Sequence, residues 1–341
     1  MRDAVRAADL LAAPQPLVTM LSGGRDSVCL LDVAVALRGP DAVSALHVNY
    51  GLRQQADAEE RHCGQLCEAL GVALRVVRAR RPAQASAACA DAARGEPVAG
   101  NVQAWAREVR YRAAARAARE RGALIATGHT ADDQVETILY RLAASPGRRA
   151  LLGMLARDRA PFGGQLVRPL LGLRRAQTTA YCRERGLSWC EDESNDSDRY
   201  ARARVRHGLL PALRAVHPAA EANVARTASL LREEAELLDA LVQEELADAQ
   251  RIPIARLQAL HPALARLVVV RLAEQATGGY VPQAGARVDE LLALGRRGGR
   301  AELHLGGSVG AVIEHGELRM VKLPPRDAAG GEPPAAPEGA N

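Results

Sequence analysis

The sequence predicts an α/β protein: a doubly wound, mostly parallel sheet followed by a second, smaller, mainly helical domain. Three observations carry that prediction. Short apolar runs that read as buried strands alternate with helix-period stretches up to about residue 215. After Pro218 the character changes, and a long Glu/Leu-rich amphipathic pattern runs from about Ala219 to Ala249. Hydrophobic residues make up 48% of the 341 residues, enough to bury a core in each of two domains.

Each element follows from its local pattern. Leu17 to Leu21 is an apolar run ending in Ser-Gly-Gly, and it reads as the first strand. A helix begins at Asp26 and stops at Gly39-Pro40. Val43 to Val48 is the second strand, Ala56 to Leu70 a helix stopped by Gly71, and Val72 to Val77 the third strand. Ala83 to Gly100 is rich in small residues without a period and reads as a loop. Val102 to Arg121 is a basic helix, Ala123 to Thr127 a strand, and Ala131 to Leu142 a helix. Leu166 to Leu171 is the fifth strand and Arg174 to Arg185 the helix after it. Further on, helices are expected over Ala219 to Ala249, Pro262 to Ala276 and Ala286 to Leu294, and two or three short strands over Ala301 to Val321. The expected domains are 1–215, 216–323 and a Pro/Gly/Ala-rich disordered tail over 324–341.

Composition narrows the class. Net charge is +5, which suits a polyanionic partner without requiring one. Lys322 is the only lysine, so the positive charge is carried by arginine. Aromatic residues are only 3%, leaving few platforms for base stacking. The six cysteines form no C-x-x-C pair and read as free thiols in a reducing compartment. The N-terminus lacks a signal-peptide pattern, and no run of 18 apolar residues exists. A soluble, cytoplasmic protein with no membrane role is the expectation.

Two constellations carry chemistry. The first is Ser22-Gly23-Gly24-Arg25-Asp26-Ser27, between the first strand and its helix. Two glycines let backbone approach an anion, and the amides of the helix start point at it. Ser22 and Ser27 can donate hydroxyl hydrogen bonds, and Asp26 can hold a magnesium ion that bridges phosphates. The lysine of a Walker loop is missing, which weighs against a kinase or GTPase. A simple tight glycine turn is the bland alternative. Arg25 has no assigned role.

The second constellation runs from Thr127 to Thr137, after the fourth strand, and contains His129, Asp132, Asp133 and Glu136. Capping of a helix start explains acids there. Asp133 and Glu136 also share a helix face, at the strand ends where ligands of such sheets bind, and could hold an ammonium group or a metal.

The first loop resembles the phosphate loop of the N-type ATP pyrophosphatases, the PP-loop enzymes, which cleave ATP between the α- and β-phosphates. The segment Gly128 to Thr137 resembles the G-H-x-x-D-D-x-x-E-T signature of tRNA(Ile)-lysidine synthetases. His47 to Arg53, Ala106 to Tyr111, Val167 to Leu171, Trp189 to Asn195 and Arg202 to Pro211 match further motifs of that family in order. The resemblance is strong over about residues 16–215 and one of organisation over about 216–322. It implies a ligase that joins free L-lysine to C2 of the wobble cytidine of the isoleucine tRNA with anticodon CAU. The reaction would pass through an adenylated cytidine and release AMP and pyrophosphate. ATP would contact Ser22, Gly23, Gly24, Asp26, Ser27, His47, Gly128 and His129, with magnesium on Asp26. Asp26, Asp133 and Glu136 would be catalytic. Lysine would bind Arg107, Arg110, Asp133 and Glu136, and tRNA would bind Arg202, Arg204, Arg206, His207 and the helical domain.

The chain departs from the family at Tyr50, at Ala203 and over 144–149, where Ala-Ser-Pro-Gly-Arg-Arg replaces a glycine-rich loop. It resembles the short family form, without the extra C-terminal domain of the long one, and a homodimer remains open. The rival readings are another PP-loop tRNA-modifying enzyme, such as a 2-thiocytidine synthetase, and a non-catalytic protein that binds ATP and RNA.

Overall fold

The computed structural model describes residues 1–52, 54–79, 99–144, 147–191, 201–279, 281–306 and 308–324. Two units are distinguished, Met1–Leu231 and Arg232–Asn341. The first is organised around one strand, β1 (Leu17–Met20), which is buried at every position. A short helix, α1 (Arg2–Ala7), precedes it. Then come α2 (Arg25–Arg38), β2 (Val43–Asn49), α3 (Ala56–Ala69), β3 (Ala73–Arg78), α4 (Ala99–Arg121), β4 (Leu124–Ala126) and α5 (Ala131–Ala144). A helical turn, α6 (Arg148–Leu151), leads to β5 (Arg157–Arg159), β6 (Gln165–Val167) and α7 (Arg175–Glu184). Beyond residue 200 lie α8 (Ala201–Arg204), a π-helical turn over Val205–Leu209, and α9 (Leu210–Val216).

The six strands are ordered β3-β2-β1-β4-β6-β5. All neighbours are parallel except β5 and β6. This is the doubly wound sheet the alternation predicts. The chain winds one way from β1 to β3 and the other way from β4, so β1 and β4 lie side by side. Their carboxyl ends bound the crevice where such sheets place ligands. Leu17 of β1 is in register with Val43 on one side and Leu124 on the other.

Apolar residues on both faces explain why the sheet is covered twice. Val28, Leu30, Leu31 and Val33 of α2 are fully buried on one face with Leu17, Leu21 and Leu170. Tyr111, Ala114 and Ala118 of α4 pack on the other with Val18, Leu46 and Ile125. α2 ends where expected, at Gly39 with φ +81 before Pro40.

Some expectations shift. The fifth expected strand, Leu166 to Leu171, is paired only over Gln165–Val167, because Pro169 lacks an N–H and the chain turns there, Leu171 N donating to Arg168 O at 3.2 Å. β5 was not expected: Arg-Asp-Arg is exposed throughout and carries no apolar alternation, as suits an edge strand. The loop expected over 83–100 lies outside the described residues except for Ala99 and Gly100, which begin α4.

In the second unit, α10 (Ala220–Leu246) spans the boundary, and β7 (Arg251–Pro253), α11 (Ile254–Ala259), α12 (Pro262–Thr277), a 3-10 turn over Pro282–Arg287 and α13 (Val288–Arg297) follow. The predicted alternating segment forms β8 (Ala301–Gly306), β9 (Val309–Glu314) and β10 (Glu317–Lys322). With β7 they make an antiparallel sheet ordered β7-β10-β9-β8. Leu257, Val268, Leu272, Leu291 and Leu318 form its core. α12 starts with Pro262 behind a His261 cap and ends at Gly278 with φ +71. The tail expected from 324 on falls outside the described residues after Pro324.

Candidate active site

The loop after β1 is held by its own atoms. Ser27 Oγ donates to Gly24 O at 2.7 Å, and Ser22 N donates to Ser27 Oγ at 3.2 Å. Ser22 Oγ lies 3.1 Å from Ser27 Oγ and accepts from Gly24 N at 3.4 Å. Gly23 has φ +85, a conformation that glycine adopts without strain. The result is a closed turn whose backbone leads directly into the start of α2. His47, at the end of β2, supports it: its Nδ1 lies 3.0 Å from Leu21 O, which makes Nδ1 the protonated nitrogen. His47 Nε2 is buried and has no hydrogen-bond partner among the described residues.

The loop after β4 presses against the first. A Cβ on Gly128 would stand 2.7 Å from Asp26 O and 3.1 Å from Ser27 N, so only glycine permits this approach. His129 Nδ1 lies 2.8 Å from Thr127 Oγ1. Burial, with the guanidiniums of Arg168, Arg110 and Arg202 nearby and against the pull of Asp133, pushes His129 down to about 4. Its imidazole is neutral at neutral pH.

The acids at the start of α5 serve both as caps and as a charge cluster. Asp133 Oδ2 accepts from Thr130 N at 2.8 Å and from Thr130 Oγ1 at 2.9 Å, a capping interaction. Its other oxygen, Oδ1, accepts from Arg175 at 2.7 Å. Glu136 is buried, and Arg206 grips it in bidentate fashion at 2.8 and 2.9 Å. Arg175 approaches Glu136 Oε1 at 3.3 Å as well. Burial alone would raise Asp133, but Arg175, the Thr130 donors and His129 hold it below the usual carboxylate range.

Arg175 joins the two constellations. Its Nε stands 3.7 Å from Asp26 Oδ2. Thr178, one turn later, donates to Asp26 Oδ1. The Arg175 backbone N–H donates to Asp132 Oδ2 at 2.7 Å, so Asp132 caps α7. Sequence reasoning missed Arg175 and Thr178. They sit in a stretch read only as a helix start, and one arginine among so many gives no signal of its own. Arg25, previously without a role, lies 3.4 Å from Asp26 Oδ1.

The remaining expected residues are spread around this centre. Arg110 is half-buried, its Nε has no hydrogen-bond partner among the described residues, and it is close enough to affect both Tyr50 and His129. Arg107 is exposed and stacks over Tyr111 at 4.7 Å. Arg202, Arg204 and His207 are exposed, whereas Arg206, expected on the same basic surface, turns its guanidinium onto Glu136. The π-helical turn starting at Val205 shifts the register at that point, and Ala203 and Val205 face inward. Tyr50 donates from its hydroxyl to Ala106 O at 3.1 Å and meets Trp105 edge-on, so it ties the end of β2 to α4. Asp192 to Asn195 of the expected Trp-x-Glu-Asp motif lie outside the described residues.

Among the described residues no three of His, Cys, Asp and Glu gather so as to hold a metal ion. Asp26 places a carboxylate at the phosphate loop, and among the described residues its Oδ2 has the Arg175 contact at 3.7 Å. That donor set fits magnesium carried in on nucleotide phosphates, which needs one or two carboxylates from the protein.

A parallel sheet with this loop after its first strand defines a class. The PP-loop domain matches residues 4–213, and the chain belongs to that family. Within it, the chain is 42% identical over 231 residues to the tRNA(Ile)-lysidine synthase of Pseudomonas fluorescens, covering 67% of this chain and 48% of that one. It is 36% identical over 316 residues to the tRNA(Ile)-lysidine synthase of Azoarcus sp., covering 89% of this chain and 65% of that one. The chain thus spans about half the length of the first of these relatives. Among solved structures, the U34-tRNA thiolase NcsA from Methanococcus maripaludis aligns with a TM-score of 0.52 at 18% identity, over 68% of this chain and 77% of that one. That likeness concerns the fold. No helix among the described residues is long and apolar enough to cross a membrane.

Proposed function

We propose that this chain is a tRNA(Ile)-lysidine synthetase: a ligase that joins free L-lysine to C2 of the wobble cytidine of the isoleucine tRNA with anticodon CAU. The observation that carries this reading is the meeting of Asp26 with Asp133 and Glu136 around Arg175, which unites a phosphate loop with a pair of carboxylates suited to an ammonium. In the first step the cytidine O2 attacks the α-phosphorus of ATP and pyrophosphate leaves. In the second a lysine amine attacks C2, and AMP departs with the oxygen. A carbonyl oxygen is a poor leaving group, and adenylation makes it a good one.

The chain's own groups divide the work. Ser22, Gly23, Gly24 and Ser27 cradle the phosphates, and His47 Nε2, Gly128 and His129 lie along the nucleotide. Asp26 would hold magnesium brought in with ATP, and that ion would supply charge compensation for the departing pyrophosphate. Asp133 and Glu136 hold an ammonium of lysine, and Arg110, with Arg107 beside it, receives the carboxylate. Arg202, Arg204 and His207 meet tRNA phosphates, with Arg206 at the inner edge of that surface, and residues 216–323 grip the tRNA body. With these substrates the protein works in the cytoplasm, as a monomer or a homodimer.

The test is mass spectrometry of the tRNA wobble base after incubation with ATP and lysine. The expected product is cytidine carrying lysine less one water, formed only when both ATP and lysine are present. A sulfur-for-oxygen exchange would point to a thiolase instead, and an unaltered base would overturn the enzyme reading.

A further inference from the structure

Three carboxylates and three guanidiniums meet at this site: Asp26, Asp133 and Glu136 against Arg25, Arg175 and Arg206. The six side chains pair off in formal charge, and Asp132, on the Arg175 backbone N–H, adds a fourth carboxylate at the edge. An ammonium entering beside Asp133 and Glu136 therefore meets acids already paired with guanidiniums, and it gains full contact with them only if one guanidinium changes place.

The geometry singles out which one. Arg206 is locked to Glu136 by two hydrogen bonds of 2.8 and 2.9 Å. Among the described residues, Arg25 pairs with its neighbour Asp26. Arg175 touches all three acids, 2.7 Å from Asp133, 3.3 Å from Glu136 and 3.7 Å from Asp26. It can exchange partners without leaving the site. Its backbone stays fixed meanwhile, because its N–H is held by Asp132 and its carbonyl accepts from Thr178 Oγ1 at 2.9 Å. Only the side chain has to swing, and it is 22% exposed.

We propose that Arg175 is an internal counter-ion exchanged for the substrate's ammonium. Before ligands bind it neutralises Asp133 and Glu136. When nucleotide phosphates arrive beside Asp26, it turns toward them and leaves the two carboxylates to the amine. Arg175 is then the residue that makes amine binding depend on prior nucleotide binding, a positioning residue for the first substrate and a competitor of the second. This rests on the lysidine reading of the site.

Calorimetric titration of L-lysine into the full chain, with and without α,β-methylene-ATP, measures the dependence. The wild-type chain is expected to bind lysine about tenfold more tightly with the nucleotide present. Arg175→Gln should bring that ratio close to one, by improving lysine binding to the nucleotide-free protein. A residue that merely scaffolded the acids would weaken lysine binding in both conditions, and that result, or a ratio equal to wild type, overturns the exchange. A second measurement does not depend on the variant folding well. In wild-type protein labelled with 15N-arginine, the Arg175 Nε–H signal, assigned by its loss in Arg175→Lys, should shift on addition of the nucleotide alone; an unmoved signal overturns the proposal. Failure of the wild-type chain to bind lysine even with nucleotide would remove the lysidine reading instead, and the Nε–H signal would still decide the exchange.

Discussion

The two loops of the site are stabilised in opposite ways. Ser22 to Ser27 satisfy one another within six residues, through hydroxyl and backbone hydrogen bonds. The acids of α5 instead rely on Arg175 and Arg206, 42 and 70 residues further along the chain. A locally satisfied loop carries its hydroxyl hydrogen bonds within its own few residues, with the end of β4 as a backing surface. A charge cluster satisfied from afar reports whether the whole unit has closed around it, and it changes when any partner changes. The phosphate side is therefore a fixed template and the acid side an adjustable one.

Breaking the template should give the largest effect. Asp26→Asn is expected to lower pyrophosphate release by on the order of a hundredfold. An unaltered rate would remove Asp26 from the chemistry. Breaking the adjustable side should divide between binding and stability. Glu136→Gln is expected to raise the KM for lysine about tenfold and leave the KM for ATP nearly unchanged. The same variant leaves Arg206 and Arg175 short of a partner in a buried setting, for a loss of about 1–3 kcal/mol in a denaturant melt.

Smaller effects sharpen the contrast at its edges. The double variant Arg202→Ala/Arg204→Ala is expected to weaken tRNA binding a few-fold and to flatten its dependence on salt by about two counterions, with lysine affinity untouched. A salt slope equal to wild type would place the tRNA surface elsewhere. A separate effect, read in stability alone, concerns His129. Its folded value of about 4 lies below the ordinary 6.5, so between those limits the unfolded chain takes up a proton that the native one does not. Stability should fall as pH falls through that window, by at most about 1.4 kcal/mol per pH unit for one proton. His129→Gln should lose that part of the slope, as thermal melts at pH 4 to 7 would read.

The same contrast explains how much could be read in advance. The phosphate loop, β1 to β4 with their helices, and the acids of α5 were legible because each depends on a short pattern: an apolar run, a glycine pair, acids one turn apart. Arg175, Thr178 and the inward turn of Arg206 were not. Their meaning arises only when α7 and the π-helical turn at Val205 are brought against α5, and nothing in Leu173-Arg174-Arg175 marks one arginine as central. β5 escaped for a related reason, since Arg-Asp-Arg is a strand only by virtue of its pairing with β6. Asp133 shows the middle case. Capping and ligand binding were rival readings of one carboxylate, and the side chain uses one oxygen for the cap and the other for Arg175.

Gly128 has a consequence for anyone wishing to transplant this machinery. Because its missing side chain lets the end of β4 rest on the carbonyl of Asp26, the two loops are shaped against each other like the halves of a mould. A graft of Ser22 to Ser27 into another sheet would arrive without its counterpart surface and could sag where Gly128 now supports it. The transferable module is two adjacent strand ends with their loops, more than a hundred residues apart in sequence and inseparable in design.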